Sequence, residues 1–145
     1  TCVDAGSCWS HDQRPDPNGG HLMFYHNRSS TTNVVIRNNI FVNSTEVCTR
    51  MENDWRSGLT LNNNLYWQVE KPILRWLSKN YYLAADFERY QSELGMDKGS
   101  LCAEPQFVNP AARDYRLKPG SPGTALATDG GPVGARLQTQ PISLK

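Results

Sequence analysis

Val34-Val35-Ile36-Arg37-Asn38-Asn39-Ile40-Phe41 is echoed by Leu59-Thr60-Leu61-Asn62-Asn63-Asn64-Leu65-Tyr66. The offset is 25 residues throughout: Ile36 falls on Leu61, Asn38 on Asn63, Asn39 on Asn64, Ile40 on Leu65 and Phe41 on Tyr66. The same offset lays Cys48-Thr49-Arg50-Met51 on Ile73-Leu74-Arg75-Trp76, so Arg50 falls on Arg75. His21-Leu22-Met23-Phe24-Tyr25 is a weaker match one period earlier. Each unit holds an apolar strand, an Asn pair, a short apolar pair, a polar turn and a third strand.

Short apolar runs bounded by Asn, Gly and Ser turns read as strands. One such unit cannot bury its apolar face alone, so successive units must stack in parallel, about 4.8 Å apart. The expected fold is therefore all-β: a right-handed parallel β-helix, a solenoid with coils of about 25 residues. Ile36 over Leu61 and Phe41 over Tyr66 would form inward ladders. Asn38 over Asn63, or Asn39 over Asn64, would form an Asn ladder at a bend, because Asn tolerates the left-handed conformation and its amide bonds along the stack. The competing fold is a β-sandwich in which the similarity is accidental; the single fixed offset favours the solenoid.

The composition agrees with a turn-rich, strand-rich chain. Of 145 residues 38% are hydrophobic and 10% aromatic, and mean hydropathy is −0.60. Eight of the twelve Asn residues lie between positions 33 and 64, where the repeat turns. A net charge of +1 offers no basic excess to neutralise phosphates, which argues against a nucleic-acid partner. No apolar run has the length of a membrane span, and no signal peptide is visible at Thr1. Cys2, Cys8, Cys48 and Cys102 allow two disulfides in three connectivities. Cys2 and Cys8 are close enough in sequence to staple the N-terminal loop, whereas Cys48 reads as a small buried hydrophobe. Zinc and redox CxxC spacings are absent, so no metal or cofactor is expected. Asn27-Arg28-Ser29 and Asn43-Ser44-Thr45 are sequons.

Residues 1–20 read as an N-terminal loop, 21–136 as the coils with their additions, and 137–145 as a tail. Within the middle block, residues 86–95 read as a helix: Asp86 is the N-cap, Phe87, Tyr90 and Leu94 share a face, and Gly95 is the stop. Glu104-Pro105-Gln106-Phe107-Val108-Asn109-Pro110 and Asp114-Tyr115-Arg116-Leu117-Lys118-Pro119-Gly120-Ser121-Pro122 read as edge strands between rigid turns.

These two blocks, with the Asn-Asn repeat and the helix that ends near Gly95-Met96-Asp97, resemble the C-terminal part of right-handed parallel β-helix proteins of the pectate-lyase-like, secreted polysaccharide-active kind. Such proteins usually show Asp-Pro-x-Phe-Val-Asp-Pro where this chain has Glu104 to Pro110. The resemblance covers roughly residues 20–136 and implies an extracellular or periplasmic protein that acts on or binds a polysaccharide. It does not fix a reaction, because these proteins include glycoside hydrolases, lyases, epimerases and members with no known activity. They usually carry many more coils, so this chain is either a fragment or a short solenoid.

Two clusters could carry chemistry. The loop Cys8-Trp9-Ser10-His11-Asp12-Gln13-Arg14 offers Trp9 to stack on a sugar, His11 or Asp12 as acid or base, and Arg14 as a binding group. Arg50, Glu52, Asp54 and Trp55, with Arg75 one period on, form the second. There Arg50 and Arg75 would stack as like charges unless Glu52 or Asp54 sits between them. The Arg pair would suit an acidic sugar, since Arg grips a carboxylate through two parallel bonds; it equally suits a surface ion-pair network. Glycoside hydrolysis needs two carboxylates about 5–9.5 Å apart, and Asp12 with Asp54 is the pair expected. The expected function is thus a polysaccharide hydrolase or lyase, or its C-terminal module. The alternative is a non-catalytic module that stacks through an open coil end into oligomers or filaments.

Overall fold

The computed structural model describes residues 1–5, 19–77 except 26–31, and 79–136. Its elements are β1 (Cys2–Ala5), β2 (Gly20–Phe24), β3 (Val34–Arg37), β4 (Ile40–Ser44), β5 (Val47–Met51), β6 (Leu59–Asn62), β7 (Leu65–Trp67), β8 (Leu74–Trp76), β9 (Asn80–Tyr82), α1 (Phe87–Leu94), β10 (Leu101–Cys102), β11 (Phe107–Asn109) and β12 (Asp114–Leu117). Cys2–Ala5, expected within a loop, is therefore a strand.

The strands form four small sheets. One has the order β1-β4-β7-β10 and is parallel throughout; β3 and β6 form a second parallel pair. The third, β2-β5-β8-β9, is parallel until β9, which runs antiparallel to β8. The fourth is the antiparallel pair of β11 and β12. Ile36 faces Leu61, Phe41 faces Tyr66 and Arg50 faces Arg75 across these sheets, so the 25-residue offset survives in the register.

The architecture expected from that offset does not. In place of a right-handed parallel β-helix there are several separate small sheets, parallel and mixed, with one short helix, and no closed solenoid among the described residues. The chain is mostly β. Two local events account for the difference. After β8 the backbone reverses at Leu77, which adopts a left-handed φ of 51°, and Lys79 N–H bonds back to Trp76 O at 3.2 Å. That turn makes β9 antiparallel. The chain then enters a 3-10 turn at Ala84–Asp86 and α1, so the β3–β6 pair gains no third strand.

Asn38 and Asn63 take left-handed φ values of 62° and 51°, which turn the chain between β3 and β4 and between β6 and β7. The residues that follow form the ladder. Asn64 Oδ1 accepts Asn39 N–H at 3.0 Å, Asn64 Nδ2 donates to Ile36 O at 3.1 Å, and Asn64 N–H donates to Ser100 Oγ at 2.9 Å. Ser100 hands the chain of bonds to Asp97, donating to its Oδ1 at 2.7 Å.

The main core lies between the sheets. It contains Phe41, Met51, Leu61, Tyr66, Leu74 and Trp76, with Phe87 and Tyr90 inserted from α1. Helix α1 thus closes the interior: the Phe87 ring packs on Tyr66 at 5.7 Å and Tyr90 on Tyr82 at 5.6 Å. Gly95, at φ 66°, ends the helix. A second cluster lies on the other face of β4 and β7, where Ile40, Val42 and Leu65 meet Ala127 and Val133. A strand buried on both faces reads as an apolar run, and Ile40-Phe41-Val42 is one. Residues 121–134 reach this face closely enough to require glycine twice. A Cβ on Gly123 would lie 2.9 Å from Leu65, and one on Gly134 would lie 2.8 Å from Ile40; both residues have left-handed φ.

Candidate functional site

Of the expected site residues, Trp9, His11, Asp12 and Arg14 lie outside the described residues, as does Cys8. The pairing of Asp12 with Asp54 and the Cys2–Cys8 staple therefore have no structural description. Cys2, Cys48 and Cys102 are free thiols, and burial pushes Cys48 up to about 12 and Cys102 up to about 11. Both stay protonated at neutral pH.

The structure gathers Arg50, Glu52 and Arg75 on one sheet and adds a fourth member, Glu46. Arg50 pairs with Glu52 through Nε, and its Nη1 lies 3.8 Å from Glu46 Oε2. Arg75 Nη1 lies 3.5 Å from Glu46 Oε1 and its guanidinium stacks over Tyr81, 5.7 Å from the ring centre. The acid that separates the two arginines is thus Glu46, not Asp54. It comes from the corner before β5, four residues ahead of Arg50. Two positive and two negative side chains cancel here.

Asp54 is held elsewhere. Its carboxylate takes Arg56 Nε at 2.9 Å and Nη2 at 2.5 Å. The Arg56 guanidinium holds it below the usual carboxylate range, so Asp54 is a poor proton donor at neutral pH. Trp55 is engaged in packing: its ring lies 5.3 Å from Phe24, and its Nε1 donates to Tyr25 O at 2.9 Å.

A groove of about 400 Å³ over the outer face of β1, β4 and β7 presents a different set. Val3, Val42 and Trp67 stand in line across the three strands, since Val3 faces Val42 and Val42 faces Trp67 in the registers. Asp4 and Asn43 follow Val3 and Val42 and both take left-handed φ, 54° and 48°. Such non-glycine conformations are uncommon and concentrate where a side chain must be aimed. The opposite wall comes from Glu104, Phe107 and Tyr115, the last two in edge contact at 5.3 Å. An adjoining groove of about 470 Å³ shares Asp4 and Asn43 and adds Lys71. Asn43 belongs to a sequon, and Glu104, Phe107 and Tyr115 to the two blocks that carry the resemblance, but none of them was expected at a site. They come from β1, β4, β7, β12 and the segment around β11, and only the fold unites them.

Asp97 is the other buried ionisable group of note, at 1% exposure. Its carboxylate accepts from Tyr90 Oη at 2.6 Å, Ser100 Oγ at 2.7 Å and Tyr66 Oη at 3.2 Å, with Asn64 Nδ2 at 3.4 Å. Burial raises it above the usual carboxylate range, against the pull of these donors. Burial, reinforced by the Asp97 charge, pushes both tyrosine hydroxyls well above theirs. The network is sealed in the core beneath α1, away from both grooves.

Among the described residues no group of three or more His, Cys, Asp or Glu side chains could hold a metal ion, and no helix is long and apolar enough to cross a membrane. No family model matches the chain, and no curated protein or solved structure does so either.

Proposed function

We propose that the chain is an extracytoplasmic carbohydrate-active protein that binds a polysaccharide in the groove over β1, β4 and β7. The observation that carries this reading is the lining. Trp67 and Tyr115 supply aromatic surface, while Asp4, Asn43 and Glu104 supply hydrogen-bonding groups at the edges. A sugar ring stacks its apolar C–H face on such a surface and offers its hydroxyls to carboxylates and amides. The volume lies in the usual range for ligand sites, about 300–1,000 Å³. Asp4 and Glu104 are the carboxylates that glycosidic cleavage in this groove would draw on. The extracytoplasmic setting and the polysaccharide rest on the resemblance carried by Glu104–Pro110 and Asp114–Pro122.

Electrophoresis through gels containing soluble polysaccharides tests the reading. The native chain is retarded by at least one of them, and Trp67→Ala and Tyr115→Ala each weaken that retardation by about tenfold or more. Circular dichroism confirms that both variants fold. Variants that match the native chain would overturn the groove as the site.

A second reading is association through strand edges. Among the described residues β1, β2 and β3 are each paired on one side only. Val34 and Ile36 on β3 are only half-buried, whereas their β6 partners Leu59 and Leu61 are 6% and 3% exposed. Unpaired edges of this kind are templates for another chain. Sedimentation velocity over a wide concentration range decides the matter, and a constant monomer removes it.

A further inference from the structure

Resting on that reading of the groove, we infer that its ligand is an uncharged glycan and not a polyuronate. Among the described residues, the charged side chains that line the two adjoining grooves are Asp4 and Glu104 against Lys71. Lys71 is turned to the backbone, donating to Thr45 O at 2.9 Å. Lys71 lines only the adjoining groove, so the wall that holds Trp67 and Tyr115 has Asp4 and Glu104 as its described charged side chains and is anionic. A polyuronate carries a carboxylate on every sugar, and lying along this wall it would bring like charges together.

None of the described arginines lines either groove. Arg50 and Arg75 lie on the β2-β5-β8-β9 sheet and are neutralised by Glu46 and Glu52. Arg56 is bound by Asp54, Arg116 by Asp114 and Arg136 by Asp129. What the groove offers instead is a pair of carboxylates and an amide beside aromatic surface. Carboxylates accept from hydroxyls, the donors that a neutral sugar carries in number.

The test compares gels containing a mixed-linkage glucan, a galactomannan or polygalacturonate, each at low and high salt. The native chain is expected to be retarded by a neutral polymer, independently of salt, and to pass polygalacturonate freely. The double variant Asp4→Asn, Glu104→Gln is expected to gain polygalacturonate affinity by about tenfold, as removal of a repulsion of 1.4 kcal/mol requires. Salt-sensitive retardation of the native chain by polygalacturonate would leave the groove reading in place and overturn this inference. If no polymer retards the chain, the groove reading itself falls and takes the inference with it.

Discussion

The side-chain oxygen of Asn64 accepts the backbone N–H of Asn39 at 3.0 Å, and these two residues are 25 positions apart in the chain. The bond joins the turn before β4 to the turn before β7, and Asn64 itself is fully buried. Replacing it with Ala leaves Asn39 N–H and Ile36 O without their partner. Each buried group so stranded costs about 1–3 kcal/mol. Asn64→Ala is therefore expected to lower the urea midpoint by a margin equivalent to about 2–4 kcal/mol. A midpoint equal to that of the native chain would show that the ladder does not hold these turns.

Gln68 makes a comparable joint at the opposite corner. Its Oε1 accepts from Ser44 N–H at 2.9 Å and from Ser44 Oγ at 2.5 Å, and its Nε2 donates to Glu46 O at 3.2 Å and Pro72 O at 3.1 Å. At 3% exposure, no water replaces these bonds easily. Gln68→Leu keeps the bulk but strands groups on both corners, so thermal unfolding should move to a lower temperature by several degrees for each kcal/mol lost, as is usual for a domain of this size. An unchanged melting curve contradicts the assignment.

Asp97 gives the fold a pH dependence of unusual sign. Because its folded-state pKa is raised, the folded chain holds the proton more tightly than the unfolded one. Its contribution to stability is fully present below the ordinary carboxylate range and is lost as pH rises through its own raised value. The exposed carboxylates of Asp54, Asp86 and Asp114 are held low by arginine or backbone partners and act in the opposite direction, weakly, since they are solvated. Comparing urea midpoints from mildly acidic to neutral pH, Asp97→Asn should remove a downward slope that the native chain shows. Parallel curves for the two proteins would sink the argument.

The Glu46 bridge predicts a salt effect. Glu46→Gln leaves Arg50 and Arg75 opposite one another with Glu52 as the remaining acid. These side chains are partly shielded, Arg50 at 14% and Arg75 at 17% exposure. The expected loss is about 1 kcal/mol at low ionic strength, recovered in part at high salt where the like charges are screened. A loss that does not respond to salt would point to packing instead.

The register of Ile36 on Leu61 and Phe41 on Tyr66 could be read directly, because a parallel pair repeats its apolar pattern at the spacing of its strands. The reversal after β8 could not. Leu77 adopts a left-handed conformation with neither glycine nor asparagine to announce it, and tertiary contacts impose it; its N–H bonds to Met51 O at 2.8 Å. Trp55 illustrates a second limit. Beside Arg50, Glu52 and Asp54 it reads as part of a binding cluster, whereas in the fold its ring packs against Phe24. The groove marks a third, since Asp4 and Tyr115 are brought together only by the pairing of strands distant in sequence.

The segment of residues 121–134 has a consequence for the order of assembly. As the polypeptide leaves the ribosome, β1 to β10 can stack as soon as Cys102 has emerged. The outer sides of Ile40, Val42 and Leu65 then stay wet until Ala127 and Val133 arrive to cover them. Gly123 and Gly134 make that last approach close enough to be a fit between surfaces. A nascent chain paused before residue 121 would display a parallel sheet with an uncovered apolar face, the species on this route most prone to capture by its neighbours.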